Sequence, residues 1–591
     1  MPMGGHLMKF RPVLAATLLA LWAQPMVLQA ETTATTPAET LDIETLDSGA
    51  YLAARVAGAD NDYREAAHWF TRALLADPDN LWLMDGAIAA HLGAGNFDAA
   101  TAIAQRLKAK GAKSQSAEML AIADLVKREN FDVLRALPPA DKTGALLLDG
   151  LVQAWAELGA GKMSDAQAAF DSLTKTEGLQ VFGLFHKALA LASAGDFEGA
   201  EEILSGEAGA AITSMRRGTL AHIQILSQLE RNPDALALLD TAFLGDTDPA
   251  LTALRARLTA GEPLPFDVVR NATDGFAEVF FTLALALNGE ADDAFTLQYT
   301  RIATALRPDH AEAQLLTGAL LENQKQFDLA SEAYAKVPPT DAGFFAAEIG
   351  RARALNGADK LEESLGVLNA LLRTDPTLLP VQLALGDTLR GAERWPEASA
   401  AYDAAVALIP QPPTANFWSV YYSRAITLER QKLWERAEAD FRQALVLAPD
   451  QPQVLNYLGY SFLERGENFV EALDMIERAV KQRPDSGYII DSLAWGYFLA
   501  GRYAEAVEPM ERASVLEPVD PVVTDHLGDV YWAVGRKREA NFQWRRALSF
   551  EPEEELAIRI RRKLEIGLDA VLDAEGARSL ADVAADHAND K

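Results

Sequence analysis

The chain contains no cysteine. A disulfide framework, a thiolate zinc site, a cysteine nucleophile and a lipidated cysteine behind an export signal are excluded together. Basic residues are the next shortage: 54 Lys and Arg stand against 85 Asp and Glu, a formal charge of −31. A nucleic-acid binder needs a basic face to displace counterions, so no nucleic-acid partner is expected. Adhesion to an anionic membrane surface is disfavoured by the same imbalance. After residue 30 no apolar run is long enough to span a bilayer. Catalytic patterns are missing too. The eight histidines are scattered, with no pair at helical ligand spacing. No phosphate-binding loop, nucleophile elbow or dinucleotide fingerprint occurs. No metal, cofactor or catalytic residue is expected, and the chain reads as no enzyme.

What is present begins with length. At 591 residues and 49% hydrophobic, the chain is too long for one compact domain and apolar enough for a large core. It must be several domains or a repeat array. Abundant alanine suits close-packed helices. Lys9, Phe10 and Arg11 precede the apolar run from Pro12 to Trp22, and the small residue Ala30 precedes Glu31. This pattern over 1–30 reads as a secretory signal, with an uncleaved N-terminal anchor as the alternative. Export without cysteine fits a soluble periplasmic protein. Residues 31–46, rich in Thr and Glu, read as a flexible linker.

From residue 47 the chain repeats. Gly501-Arg-Tyr503-Ala-Glu-Ala506, with Met510, Ala513 and Pro518, is answered 34 residues later by Gly535, Ala540, Trp544, Ala547 and Pro552. The same beat runs through Trp395, Ala398, Tyr402 and Pro410, and through Trp434, Ala437, Phe441 and Pro449. Each position has a physical reason. Leu458-Gly459 and Leu527-Gly528 sit midway along the first helix of a unit, where the second helix crosses closely. The alanine allows that approach, the aromatic fills the gap between units, and the proline stops the second helix. Units are expected to start near 47, 81, 115, 147, 181, 217, 277, 311, 345, 379, 418, 452, 487 and 521. An N-terminal array over 47–250 and a C-terminal array over 277–554 are separated by an expected irregular joint at 251–276, which holds Pro263 and Pro265. Gln411-Pro-Pro-Thr-Ala415 should project as a loop. Residues 555–573 read as one amphipathic capping helix, and 574–591 as a polar, mobile tail.

These residues resemble the tetratricopeptide-repeat superfamily, whose pattern places Leu-Gly, aromatic, Ala and Pro at such spacings. The resemblance implies an all-α superhelical solenoid of antiparallel helix pairs whose first helices line a concave groove for protein or peptide ligands. It points to Tyr422, Glu429, Asn456, Tyr460, Asp491, Trp495, Phe498, Asp525, Asp529 and Trp532 as groove residues. The alternative for Tyr460 and Trp495 is packing against the neighbouring unit. The two-lysine, two-asparagine clamp that some members use for a C-terminal carboxylate is not recognisable: Tyr422, Asp491 and Asp525 stand where lysines would. Some members carry a glycosyltransferase domain after the repeats, and the span after 554 is too short to hold one. The stretch 455–547, with Asn456-Tyr-Leu-Gly-Tyr460, Asp491-Ser-Leu-Ala-Trp495 and Asp525-His-Leu-Gly-Asp-Val-Tyr-Trp532, also resembles secreted bacterial members that act as envelope adaptors of a C-terminal processing protease. Those adaptors are usually anchored through a lipidated cysteine, which this chain lacks. The resemblance implies a non-catalytic scaffold presenting substrates to such a protease. The alternative is a structural component of an envelope secretion or polysaccharide-export machine.

Overall fold

The computed structural model describes residues 47–138, 142–207, 209–213, 215–244 and 248–589. The expected signal and linker, 1–46, lie outside them. Among the described residues there are thirty-three α-helices, numbered here from α1 (Ser48–Ala59) to α33 (Leu580–Asn589), and no strand. The helices form an all-α solenoid in which successive helices pack as antiparallel pairs. First helices begin within one residue of the expected unit starts, except that the one expected at 277 begins at Ala272.

Local chemistry sets these boundaries. The Asn80 side chain accepts from the amides of Trp82 and Leu83, and that of Asp520 accepts from Val522 and Val523, so orphan N–H groups at the helix start are satisfied. Pro452 and Pro521 occupy first-turn positions, where a missing N–H costs nothing. Midway along one first helix, a Cβ on Gly528 would lie 2.4 Å from the Trp544 indole, so only glycine admits the second helix there. One device was not anticipated. Arginines on second helices donate to the carbonyl of the proline that ended the preceding second helix. Arg106 reaches Pro78 at 2.8 Å, Arg478 reaches Pro449 at 2.8 Å and Arg546 reaches Pro518 at 2.6 Å, with Arg512 and Pro484 paired likewise. Each bond satisfies a carbonyl that the proline left exposed at the unit boundary.

The chain divides into two compact units, residues up to 376 and residues from 377. This boundary falls inside the span expected to be one C-terminal array. The expected joint at 251–276 is not irregular throughout. Asp248 caps α14 (Pro249–Thr259), and only about 260–271, where Pro263 and Pro265 forbid a helical ladder, runs without helix. In the second unit the expected single capping helix is two, α31 (Glu554–Ile566) and α32 (Leu568–Ala574). They break at Gly567, whose φ of +84° and whose Cβ direction, 2.7 Å from the Trp532 ring, exclude other residues. The expected mobile tail contains α33, packed back onto the unit through Leu580. The segment 411–415 is mostly exposed and leads into a single 3-10 turn, Ala415–Phe417.

Candidate protein-binding groove

First helices of successive hairpins share one face of the array. In the first unit four of them are α3 (Leu81–Gly93), α5 (Gln115–Lys127), α7 (Leu146–Gly159) and α9 (Gln180–Ser193). Their shared face is covered. The hairpin of α15 (Ala272–Leu287) and α16 (Asp293–Leu306) packs against all four. α15 is mostly apolar and enclosed: Phe276, Ala277, Val279, Phe280 and Ala284 are fully buried, and its polar residues Asp274, Glu278 and Thr282 are buried too. A helix of that kind is stable only when enclosed. Polar groups fix its register: Arg301 Nε donates to the Gly93 carbonyl at 3.0 Å, Gln115 to the Tyr299 hydroxyl at 3.0 Å and Ser116 to Gln298 at 2.6 Å.

A buried charged network ties this hairpin to its surroundings. Glu278, fully buried, accepts from Arg217 Nε at 3.0 Å and pairs with His310 Nε2 at 3.2 Å, while Arg217 also reaches Glu312 at 3.1 Å. Burial alone would raise the Glu278 pKa, but Arg217 and His310 outweigh it and hold the carboxyl far below the usual range. His186, fully buried, takes a hydrogen bond on Nδ1 from the Trp155 indole at 3.2 Å. Burial pushes its pKa down to about 4, so the ring is neutral at pH 7.

In the second unit the first helices are α21 (Leu379–Gly391), α23 (Trp418–Arg430), α25 (Pro452–Arg465), α27 (Gly487–Leu499) and α29 (Pro521–Ala533), followed by α31. The ten expected groove residues separate into two groups. Tyr422 and Glu429 on α23, and Asn456 and Tyr460 on α25, are all partly exposed. Tyr422 packs against Tyr457 with ring centroids 6.0 Å apart, and the Tyr457 hydroxyl donates to Glu429 at 3.2 Å. The side-chain Oδ1 of Asn456 is buried and has no hydrogen-bond partner among the described residues. Burial raises the phenol pKa values of both Tyr422 and Tyr460, so both hydroxyls remain donors at neutral pH.

The second group is closed, which corrects the expectation for it. Asp525 and Asp529, each 1% exposed, do not face an open groove. They share the ammonium of Lys563 on α31, itself 1% exposed, with Nζ–O distances of 2.7–2.9 Å. Asp529 also accepts from the Trp544 indole at 2.9 Å. Asp491 is buried against His526 Nδ1 at 3.0 Å. Trp495 lies between rings, stacked on His526 at 3.9 Å and on Phe498 at 4.7 Å. Trp532 is partly exposed but engaged: its indole donates to Asp569 on α32 at 2.9 Å, and Lys537 sits 4.3 Å above its ring. Two burial effects accompany this closure. Burial works against the His526 cation, yet Asp491, with Asp525 and Asp529 behind it, raises the net pKa above the ordinary value. Burial lifts the Asp529 pKa, with Lys563 pulling it back only in part.

Lys563 and His526 were not foreseen. The repeat itself carried the signal for Lys563, which stands 34 residues after Asp529, one full period, and so in the same register of the next first helix. Among the described residues no group of three or more His, Asp or Glu side chains is arranged to hold a metal, and no helix is long and apolar enough to cross a membrane.

Similarities of this chain to known proteins are of three kinds. A family model described as tetratricopeptide repeat matches residues 151–214, 383–452 and 422–487. The TPR repeat-containing protein PA4667 of Pseudomonas aeruginosa is 26% identical over 188 residues, 32% of this chain and 31% of that protein. The chain thus matches about a third of the relative's length. Among solved structures, the APC/C hetero-tetramer Cut9–Hcn1 aligns at 15% identity over 88% of this chain and 96% of that chain, with a TM-score of 0.37. The crystal structure of MamA aligns at 18% identity over 28% of this chain and 94% of its own, with a TM-score of 0.26.

Proposed function

We propose that this tetratricopeptide-repeat chain is a non-catalytic scaffold that holds protein or peptide segments on the α23–α25 face of its second unit. The observation that carries the reading is the pair of adjacent first helices whose outward side chains stay partly exposed: Tyr422, Glu429, Asn456 and Tyr460. Rings supply contact area at small entropic cost, and an amide and a carboxylate supply hydrogen bonds to a peptide backbone. The corresponding face of α3, α5, α7 and α9 is taken by α15 and α16, and that of α27 and α29 by Lys563 and aromatic stacking.

The finer reading is an envelope adaptor, periplasmic and exported by its N-terminal segment, that brings substrates to a C-terminal processing protease. The basic flank and apolar run before Ala30 support the location, and the resemblance over 455–547 supports the role. The test is affinity capture from an envelope extract with full-length protein and with the Tyr422→Ala/Asn456→Ala/Tyr460→Ala variant. A specific set of envelope proteins, a protease among them, is expected from wild type and at least tenfold less from the variant. Equal recovery from both would remove the groove assignment. Recovery without any protease would remove the adaptor role while leaving the scaffold.

A further inference from the structure

Where the turn between the two helices of a unit holds a glycine with positive φ, that glycine mostly faces open space: at Gly161, Gly195, Gly289, Gly466 and Gly535, nothing lies within 4 Å of where a Cβ would be. Gly501, in the turn from α27 to α28 (Tyr503–Leu516), differs. Its φ is +73°, and a Cβ there would lie 2.6 Å from the Val583 carbonyl oxygen of α33. Two residues on, the Tyr503 hydroxyl donates to the Leu580 carbonyl at 3.0 Å. Leu580 packs against the cluster that contains Trp495 and Phe498. The turn is thus fitted to a helix backbone: a glycine clears room for it, a phenol reaches its carbonyl, and an apolar cluster takes its leucine.

The occupant is lightly held. No described side chain of α33 is fully buried; Leu580, Val583 and Ala584 are partly buried, and the link 575–579 is exposed throughout. α31, by contrast, buries Ala557, Ile560 and Lys563 completely. α33 also carries its own start signal. Ser579 accepts from the Asp582 amide at 3.1 Å and donates to the Asp582 carboxylate at 2.7 Å, so its first turn is capped without help from the surface. The polar contact to the surface goes to a backbone carbonyl, which any helix offers.

We propose that the α27–α28 turn is a docking site for a short amphipathic helix, that α33 fills it in the isolated chain, and that a partner helix with Leu and Val three residues apart takes its place. This does not rest on what the α23–α25 face binds. The test uses full-length protein with Leu580→Asp/Val583→Asp, which frees the site by charging the apolar side of α33. A labelled peptide of residues 577–591 should bind this variant at least tenfold more tightly than wild type. Adding Gly501→Ala to the variant should abolish that gain. Adding Gly535→Ala, which carries the same left-handed strain in open space, should leave it. Equal binding to wild type and variant, or no binding to the variant, overturns the proposal. A second measurement is hydrogen exchange in an otherwise wild-type Tyr503→Phe chain. Amides 580–585 should exchange several-fold faster, and unchanged rates would show that α33 is not held by this surface.

Discussion

The two units use the same hairpin and treat its inner face differently. In the first, a whole hairpin, α15 and α16, is laid across four first helices, so their shared face becomes core. In the second, closure is confined to one end and rests on buried charges and stacked rings: Lys563 holds Asp525 and Asp529, Asp491 holds His526, and Trp495 stacks on His526. The remaining first helices keep rings and amides partly exposed. A repeat therefore fixes which face a side chain occupies, while the chain beyond the repeat decides whether that face is used internally or left for another molecule.

The largest test of this contrast removes what closes each face. Lys563→Met removes the buried ammonium that Asp525 and Asp529 share, leaving Asp529 only Arg559 at 3.8 Å, and should cost about 3–5 kcal/mol. Phe280→Ala in α15 should cost a similar ~3–5 kcal/mol through lost burial and a cavity. Chemical denaturation followed by segment-resolved hydrogen exchange should place the first loss in residues 377–589 and the second in residues 47–376. Losses that spread over both units would mean the two do not act as separate folding units.

Acid and base should then separate the units by sign. His186 has a folded pKa of about 4, below its ordinary 6.5, and Glu278 is held below its ordinary value too. Both groups bind protons more readily unfolded, so the first unit should lose stability as pH falls, by about 2–3 kcal/mol between pH 6.5 and 4 from His186 alone. His526 is raised, so its contribution is complete below about pH 6.5 and fades as pH climbs through its folded pKa. Exchange rates measured from pH 4 to 9 should show the first unit weakening at the acid end and the second at the alkaline end. His526→Gln should flatten the alkaline trend. The smallest expected effect is at a turn. Lys432 has a φ of +62°, and Lys432→Gly should stabilise the second unit by up to ~1 kcal/mol in the same denaturation assay.

The hairpins were legible in the sequence because their signals are steric and local. A glycine facing Trp544 and a proline ending a helix mean the same thing in every unit. Occupancy was not legible, because it depends on contacts between residues far apart, such as Arg301 with Gly93, 208 positions away. One clue was nevertheless present. Residues 276–287, FAEVFFTLALAL, are apolar except for Glu278 and Thr282, and a solvent-backed repeat helix would carry a polar face. Tyr422 and Asn456 were placed on the inner face by register alone. Asp525 and Asp529 were placed by the same register and misjudged, because a buried Lys563 turns an inner-face carboxylate from a contact group into an internal ion pair. The tail from 574 was read from its polarity, which concealed a capped helix that needs only Leu580, Val583 and Ala584 to find its place.

The covering of the first unit also has a history in time. A ribosome adding about 5–20 residues per second needs roughly 10–40 s to travel from Gly93 to Arg301, a separation of 208 residues. Throughout that interval the early hairpins exist without the segment that becomes their centre. Their inner face is then an apolar trough on a growing chain, open to any holdase or neighbouring nascent chain. A face that is covered once the chain is complete is, while the chain is being made, its most exposed one.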